Sequence, residues 1–134
     1  MKNRYLLALS LGAILLISSL ALGMLLNVLF PALKAEYETP AFRPWTDPLM
    51  SLFFAYPVVL GILLTYVWLK SRKSWKNGLD FGISIGVLTA VPAFLVNYSS
   101  FTFSLLMICS WVFLGFVNTL IAGLALEKLE SCFN

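Results

Sequence analysis

Four long apolar stretches, none with Asp, Glu, Lys, Arg or His in its core, restrict the folds open to this chain. The first runs from about Tyr5 to Phe30 and, as a helix, would reach roughly 39 Å at about 1.5 Å per residue. That length exceeds the hydrocarbon core of a bilayer, which is about 30 Å thick. Each stretch is therefore interpreted as a membrane-spanning helix. The predicted spans are residues 5–30, 48–69, 79–96 and 102–126.

Composition supports this interpretation. Hydrophobic residues make up 60% of the 134 residues and charged residues only 11%, against about 25% charged in a soluble domain. A water-soluble fold of this size could not hide so much apolar surface. The chain is predicted to be all-α, an integral membrane four-helix transmembrane bundle, with residues 1–134 forming a single domain.

A secretory signal peptide is the alternative interpretation of the first stretch, with Ala21-Leu22-Gly23 as its cleavage site. The apolar run is longer than a signal peptide requires and continues past that site. A retained helix is the better prediction.

Prolines and small residues predict where the helices begin and how they pack. Pro31 should end the first helix, and a polar connector should follow over residues 32–47. Asp47 suits an N-cap and Pro48 a first helical position, so the second helix should start there. Residues 97–100 should form a short turn, and the residues after 126 a polar tail. Small residues at helical spacing predict close helix packing: Pro57, Gly61 and Thr65; Gly78, Gly82 and Gly86; Gly115, Thr119 and Gly123.

The cations predict a single orientation. The two chain ends and the second connector would share one side, and the first connector would face the other. Seven cations fall on the first side and two on the second: Lys2, Arg4, Lys70, Arg72, Lys73, Lys76 and Lys128, against Lys34 and Arg43. By the positive-inside rule, both termini are predicted to be cytoplasmic, in a prokaryotic inner membrane.

Several chemistries lack the residues that they need. There is no histidine, and Cys109 and Cys132 form no C-x-x-C pair, so no metal site and no cofactor are predicted. No basic face remains outside the spans, which argues against nucleic acid as a partner. The predicted partners are the lipid bilayer and either a second copy or another membrane protein.

Two groups of residues are candidates for binding. Asn27, Asn97 and Tyr98 would approach the first connector and form a polar site between helices; ordinary interhelical hydrogen bonding is the alternative. Arg43, beside Trp45 and Asp47, would contact an anion or a lipid headgroup. The structural alternative is an interfacial cap in which Asp47 starts the helix and Trp45 anchors it.

Some small membrane proteins of similar size have features that this chain lacks. Four-helix drug exporters carry a carboxylate within the membrane, quinone-linked disulfide enzymes carry paired cysteines, and glutathione-type membrane enzymes carry charged motifs in the bundle. Residues 99–104 resemble the hydroxyl and phenylalanine segment of small dual-topology fluoride channels. The strong cation bias, however, fixes one orientation and argues against dual topology.

A broader resemblance covers about residues 30–126. The chain resembles small four-pass membrane proteins of prokaryotes that are known as domains of unknown function. That resemblance implies a four-helix membrane fold and no known activity. The residues that carry it are Phe42 to Met50, Tyr56-Pro57, Gly61, Asn97 to Phe101, Ser104 and Trp111.

The leading functional hypothesis is a non-enzymatic structural, accessory or partner-binding module. The alternative is an oligomeric channel or carrier for a small solute. A membrane enzyme comes third, and it would need Arg43, Asp47 or Tyr98 as working groups.

Overall fold

Residues 3–133, the part of the chain that the computed structural model describes, contain five α-helices and no strand. Four helical segments of 23 to 29 residues, with mean hydropathies of 1.9 to 2.3, are long and apolar enough to cross a membrane. The predicted all-helical fold with four long apolar helices is confirmed. Lys2, counted in the orientation prediction, lies outside the described residues. The helices are α1 (Asn3–Leu29), α2 (Pro31–Tyr37), α3 (Ser51–Ser71), α4 (Gly78–Ser100) and α5 (Leu105–Phe133).

The long helices form two pairs. Helix α1 packs along α3, α4 packs along α5, and contacts between α1 and α5 join the pairs. Asn3 Nδ2 donates to the carbonyl oxygen of Phe133 at 2.6 Å, so the two ends of the described chain meet. We call this side of the bundle, with residues 71–78, the termini end. The opposite side, with residues 30–50 and 101–104, is the connector end.

Glycines bring α4 and α5 into backbone contact. A Cβ atom at Gly78 would overlap the carbonyl oxygen of Gly123, and one at Gly123 would overlap that of Gly78. A Cβ at Gly82 would lie only 2.7 Å from the carbonyl oxygen of Thr119. Most of the predicted small-residue contacts thus form within one chain. Gly115 differs, because a Cβ there would meet nothing within 4 Å.

Helices α1 and α3 approach each other in the same way. A Cβ at Gly61 would lie 2.6 Å from Gly12 Cα. Thr65, one turn further on, is buried, and its hydroxyl donates to the Gly61 carbonyl oxygen at 2.8 Å. The predicted face of Pro57, Gly61 and Thr65 is therefore a packing face between α1 and α3.

Most of the large, fully buried side chains lie towards the termini end. All four long helices contribute to this core, through Leu11 and Leu15, Trp68, Phe81 and Leu126. In the other half, no residue of α1 from 20 to 29, of α3 from 51 to 56 or of α4 from 87 to 100 is buried.

We call these two parts the packed half and the open half. Helix α5 continues through both, and its Met107, Ile108 and Ser110 are buried in the open half. These three residues lie near the start of α5, the helix that α1, α2 and α4 all contact.

Two predicted helix ends were wrong. Residues 97–100 form the last turn of α4 rather than a connecting turn: Asn97 Nδ2 donates to the Ala93 carbonyl oxygen, and the Phe101 N–H bonds the Asn97 carbonyl oxygen. Helix α5 continues past Leu126 to Phe133, because Glu127 and Glu130 bind groups on neighbouring elements instead of leaving the helix for solvent.

The first connector also differs from the prediction of a purely polar linker. Pro31 ends α1 but occupies the first turn of α2, where a missing N–H costs no helical hydrogen bond. Leu33, fully buried, fixes α2 to the bundle. The second long segment begins with a 3-10 turn, Pro48–Met50, before α3 starts at Ser51.

Candidate functional site

The Arg43–Asp47 ion pair forms at the connector end. Arg43 Nη1 lies 2.9 Å from Asp47 Oδ2, and the Leu49 N–H donates to Asp47 Oδ1 at 2.9 Å. The Leu49 N–H and then Arg43 lower the pKa of the Asp47 carboxyl below its usual value. The predicted N-cap role of Asp47 is confirmed for the 3-10 turn that leads into α3.

Trp45 lies beside this pair but outside the bundle. It is 71% exposed, and its ring contacts Phe53 and Phe54, with centroids 6.0 and 6.4 Å away. The contacts keep Trp45 against the start of α3, a geometry that suits an anchor at a membrane interface.

Asn97 and Tyr98 lie on the open half of α4. The Asn97 amide bonds the Ala93 carbonyl oxygen of its own helix. The Tyr98 ring is 60% exposed and stacks on Phe94, with centroids 5.6 Å apart. Within residues 3–133, no hydrogen bond or aromatic contact joins either residue to Asn27 or to Arg43. The predicted polar site of Asn27, Asn97 and Tyr98 is therefore not held together by hydrogen bonds or aromatic contacts.

Asn27 is the exception among the buried and half-buried asparagines of the apolar helices. Asn118 bonds Ser18 and Ser19, and Asn97 bonds its own helix. The Asn27 amide, half-buried near the end of α1, has no hydrogen bond within residues 3–133. One turn earlier, a Cβ at Gly23 would meet nothing within 4 Å. The face predicted to carry a binding residue is therefore uncovered.

A carboxylate that sequence reasoning missed ties α2 to α5. Glu36 accepts the Ser104 N–H at 2.8 Å and the Ser104 hydroxyl at 2.6 Å. Ser104 in turn caps α5, accepting the Met107 N–H at 3.1 Å. The local signal was a serine at an N-cap position, but its carboxylate partner lies 68 residues away along the chain.

Four aromatic residues close over the same joint. Tyr37, Phe42, Phe103 and Trp111 lie with neighbouring ring centroids 5.0 to 6.2 Å apart. Trp111 Nε1 donates to the Tyr37 hydroxyl at 2.6 Å. Burial raises the pKa of Tyr37, against the lowering effect of the Trp111 bond. We call this group, with Glu36 and Ser104, the connector cluster. Its contacts hold α2 against the start of α5.

A second missed cluster lies at the termini end. Glu130 Oε2 accepts from Trp68 Nε1 at 3.0 Å and pairs with Arg72 Nε at 3.1 Å. The Arg72 guanidinium also lies over the Trp68 ring, 4.6 Å from its centroid. Each polar group here has a partner inside the chain, so the arrangement holds α3 against α5.

The third polar contact lies midway along the bundle. Ser18 donates to Asn118 Oδ1 at 2.8 Å, and Asn118 Nδ2 donates to Ser19 at 3.0 Å. Within residues 3–133, every buried side-chain nitrogen and oxygen has a hydrogen-bond partner. This supports interhelical bonding as the role of these residues.

Residues that could hold a metal are not gathered anywhere in the described chain. Residues 3–133 contain no group of three Cys, Asp or Glu side chains placed to bind an ion. Cys109 and Cys132 are free thiols, both exposed. Cys109 opens onto an apolar groove beside α1 and α2.

Comparisons with known proteins identify no family for this chain. No protein-family model, no curated protein and no solved structure matches the chain.

Proposed function

We propose that the chain is a multi-pass protein of a prokaryotic cytoplasmic membrane, with both termini in the cytoplasm. The four apolar helical segments support insertion, since each is long enough for a hydrocarbon core of about 30 Å. The cation distribution supports the orientation. In that orientation the termini end faces the cytoplasm, and the connector end, with Trp45, faces outward.

Within this membrane we infer a non-enzymatic module that binds a partner helix through the open half of α1. The single observation that carries this inference is the Asn27 amide. An amide in lipid has no water to bond, so membrane helices use such groups to bond one another. Asn27 has no bond inside residues 3–133, and a partner helix would supply it.

Gly23 supports the same face. It lies one turn before Asn27, and the space beside it is open. Small residues let a second helix backbone approach closely. Ser19, one turn before Gly23, already accepts a hydrogen bond from Asn118. The contact between α1 and α5 on this face therefore ends at Ser19, and the uncovered face begins at Gly23.

An oligomeric channel or carrier is the second candidate, and the same amide favours it, because the partner helix can belong to a second copy. The two candidates predict different experimental results. A module forms a complex that leaves vesicles tight, whereas a channel adds solute flux that depends on Asn27.

Reporter fusions test the membrane arrangement. Fusions after Lys76 and after Lys128 should give cytoplasmic activity, and a fusion within residues 34–46 should give external activity. The reverse pattern, or cytoplasmic activity at all three positions, would overturn the proposed topology.

Complex formation tests the module. Asn27→Leu should abolish the complex seen by native electrophoresis of gently solubilised membranes. Asn97→Leu is the matched control, because the Asn97 amide already bonds its own helix, and it should leave the complex intact. An unchanged complex with Asn27→Leu would overturn the inference. Asn27-dependent flux of a small solute in proteoliposomes would favour the channel instead.

A further inference from the structure

Four cations lie close together in the chain where α3 ends and α4 begins. They are Lys70, Arg72, Lys73 and Lys76. Arg72 is used inside the bundle, because it pairs with Glu130. The three lysines are exposed, and within residues 3–133 none of them forms an ion pair. We call Lys70, Lys73 and Lys76 the lysine surface.

The carboxylates at the termini end do not neutralise the lysine surface. Each of them accepts a hydrogen bond from a group of the bundle itself. The pairs are Asp80 with the Lys76 N–H at 3.1 Å, Glu127 with the Gly78 N–H at 2.8 Å and Glu130 with Trp68 Nε1 at 3.0 Å. The three acidic residues are half-buried, whereas the three lysines are exposed. Negative charge therefore lies against the bundle, and positive charge lies on its outer surface.

The two ends of the bundle have opposite charge balances. Within residues 3–133, six cations lie at the termini end with only three carboxylates. The cations are Arg4, Lys70, Arg72, Lys73, Lys76 and Lys128, and the carboxylates are Asp80, Glu127 and Glu130. At the connector end the carboxylates are in excess, since Glu36, Glu38 and Asp47 outnumber Lys34 and Arg43. An anion is therefore attracted to the termini end, where the lysine surface is exposed.

The short turn between α3 and α4 keeps the lysine surface level with the helix ends. The turn spans only residues 72–77 and includes the 3-10 turn Arg72–Ser74. Trp75 folds back onto the bundle: its Nε1 donates to the Ser71 hydroxyl at 2.7 Å, and its ring centroid lies 5.3 Å from that of Phe81. In the proposed membrane arrangement, α3 and α4 end at the interface. The lysine ammonium groups then lie at the depth of the lipid phosphates.

We propose that the lysine surface binds the headgroups of anionic phospholipids. The inference rests on the proposed membrane location, because only a bilayer presents these headgroups beside the helix ends. Charge selects the ligand: basic residues at a membrane surface attract anionic lipids, whereas a zwitterionic headgroup carries a cation that the lysines repel. A soluble acidic protein offers the same negative charge, but the short turn keeps the lysines among the headgroups. The lysine surface does not include Asn27, so it is independent of the proposed partner contact.

Native mass spectrometry of the protein released from nanodiscs tests the proposal. The nanodiscs contain equal amounts of phosphatidylglycerol and phosphatidylcholine with identical acyl chains, so that only the headgroups differ. The wild-type chain should retain more phosphatidylglycerol than phosphatidylcholine. Lys73→Gln should lower the ratio of the two retained lipids about fivefold, the effect of removing one basic residue near an anionic surface. Lys76→Gln should lower it by a similar factor.

Two control variants separate a specific surface from total charge. Lys34→Gln removes the same charge from an exposed position at the connector end and should leave the ratio unchanged. Lys73→Arg keeps the charge and should keep the ratio. Equal retention of the two lipids by the wild-type chain would overturn the proposal. A ratio that falls as much in Lys34→Gln as in Lys73→Gln would overturn it as well.

Two other outcomes distinguish the failures. The wild-type chain extracted from its own membrane could retain an acidic protein in place of lipid. If the double variant Lys73→Gln/Lys76→Gln loses that protein, the lipid site is overturned and the membrane location stands. A chain that does not enter nanodiscs would overturn both. Loss of the complex on Asn27→Leu is measured separately, so the partner contact stands or falls by itself.

Discussion

Glycines have opposite surroundings in the packed half and in the open half. In the packed half, glycines face backbone atoms of a neighbouring helix, and a Cβ at Gly78 or Gly123 has no room. In the open half, Gly23 and Gly115 face empty space. The difference shows that a small-residue stripe becomes a helix contact only where a neighbouring helix lies directly opposite it.

One polar side chain within the long helices distinguishes the two halves. Glu130 has both Trp68 and Arg72 as partners in the packed half. Asn27, in the open half, has no hydrogen bond within residues 3–133. Within residues 3–133, the open half thus has an amide without a hydrogen bond and an open apolar groove, beside polar groups at the connector end that are satisfied.

Removing the buried Trp68 side chain should lower the unfolding free energy more than any other change considered below. Trp68 is 0% exposed, so Trp68→Ala should cost about 3–5 kcal/mol of unfolding free energy. Trp45 in the open half is 71% exposed, and Trp45→Ala should change stability by less than about 0.5 kcal/mol. Reversible unfolding in mixed micelles, followed by circular dichroism, measures both. Similar losses for the two variants would break the distinction between the halves.

A methyl group on α5 tests the distinction on a single helix. Gly123→Ala forces a Cβ into the backbone of α4 and should cost about 1–3 kcal/mol or more. Gly115→Ala enters open space and should stabilise the helix by up to about 1 kcal/mol, because alanine is the better helix former. The same micelle unfolding assay applies. A loss at Gly115 as large as the loss at Gly123 would mean that the open half is covered within the chain.

Disrupting the connector cluster should destabilise α2 locally without unfolding the packed half. Ser104→Ala removes both the cap of α5 and a donor to Glu36, and it should cost about 1 kcal/mol. Hydrogen exchange should speed up across Pro31–Tyr37 while the packed half stays protected. Ser131→Ala, which removes an exposed hydroxyl bonded only to the Lys128 carbonyl oxygen, is the control. Unchanged exchange in α2 after Ser104→Ala would contradict the proposed tie.

The smallest expected effect is the pH dependence that the Asp47 carboxyl adds to stability. The Leu49 N–H and Arg43 lower the pKa of its carboxyl. The stabilisation is therefore present above the ordinary value of about 3.9 and is lost only as pH falls through the lower folded value. A carboxyl NMR titration should show a midpoint below about 3.9, which rises but stays low in Arg43→Gln. A wild-type midpoint at or above the ordinary value would contradict the cap geometry.

Composition and spacing were enough to predict the helical class, the long helices and most glycine contacts. These features depend on local properties: length, apolar content and small residues one turn apart. The Asp47 cap was also local, since Asp-Pro is a strong start signal.

The joints between helices could not be predicted in this way. Glu36 meets Ser104 across 68 residues, and Trp68 meets Glu130 across 62. Such pairs depend on which helices become neighbours, and helical periodicity carries no information about that. The extension of α5 to Phe133 was missed for the same reason, because its partners lie on other elements.

Single-cysteine crosslinking in native membranes tests the central claim most directly. In a chain without Cys109 and Cys132, Gly23→Cys reports on the open half of α1. Leu9→Cys is the control: it lies in the packed half, five turns before Asn27 on the same face, and Leu9 is 56% exposed. We predict an intermolecular crosslink at position 23 that is lost with Asn27→Leu, and none at position 9. Equal crosslinking at both positions, or none at position 23, would contradict a partner site confined to the open half.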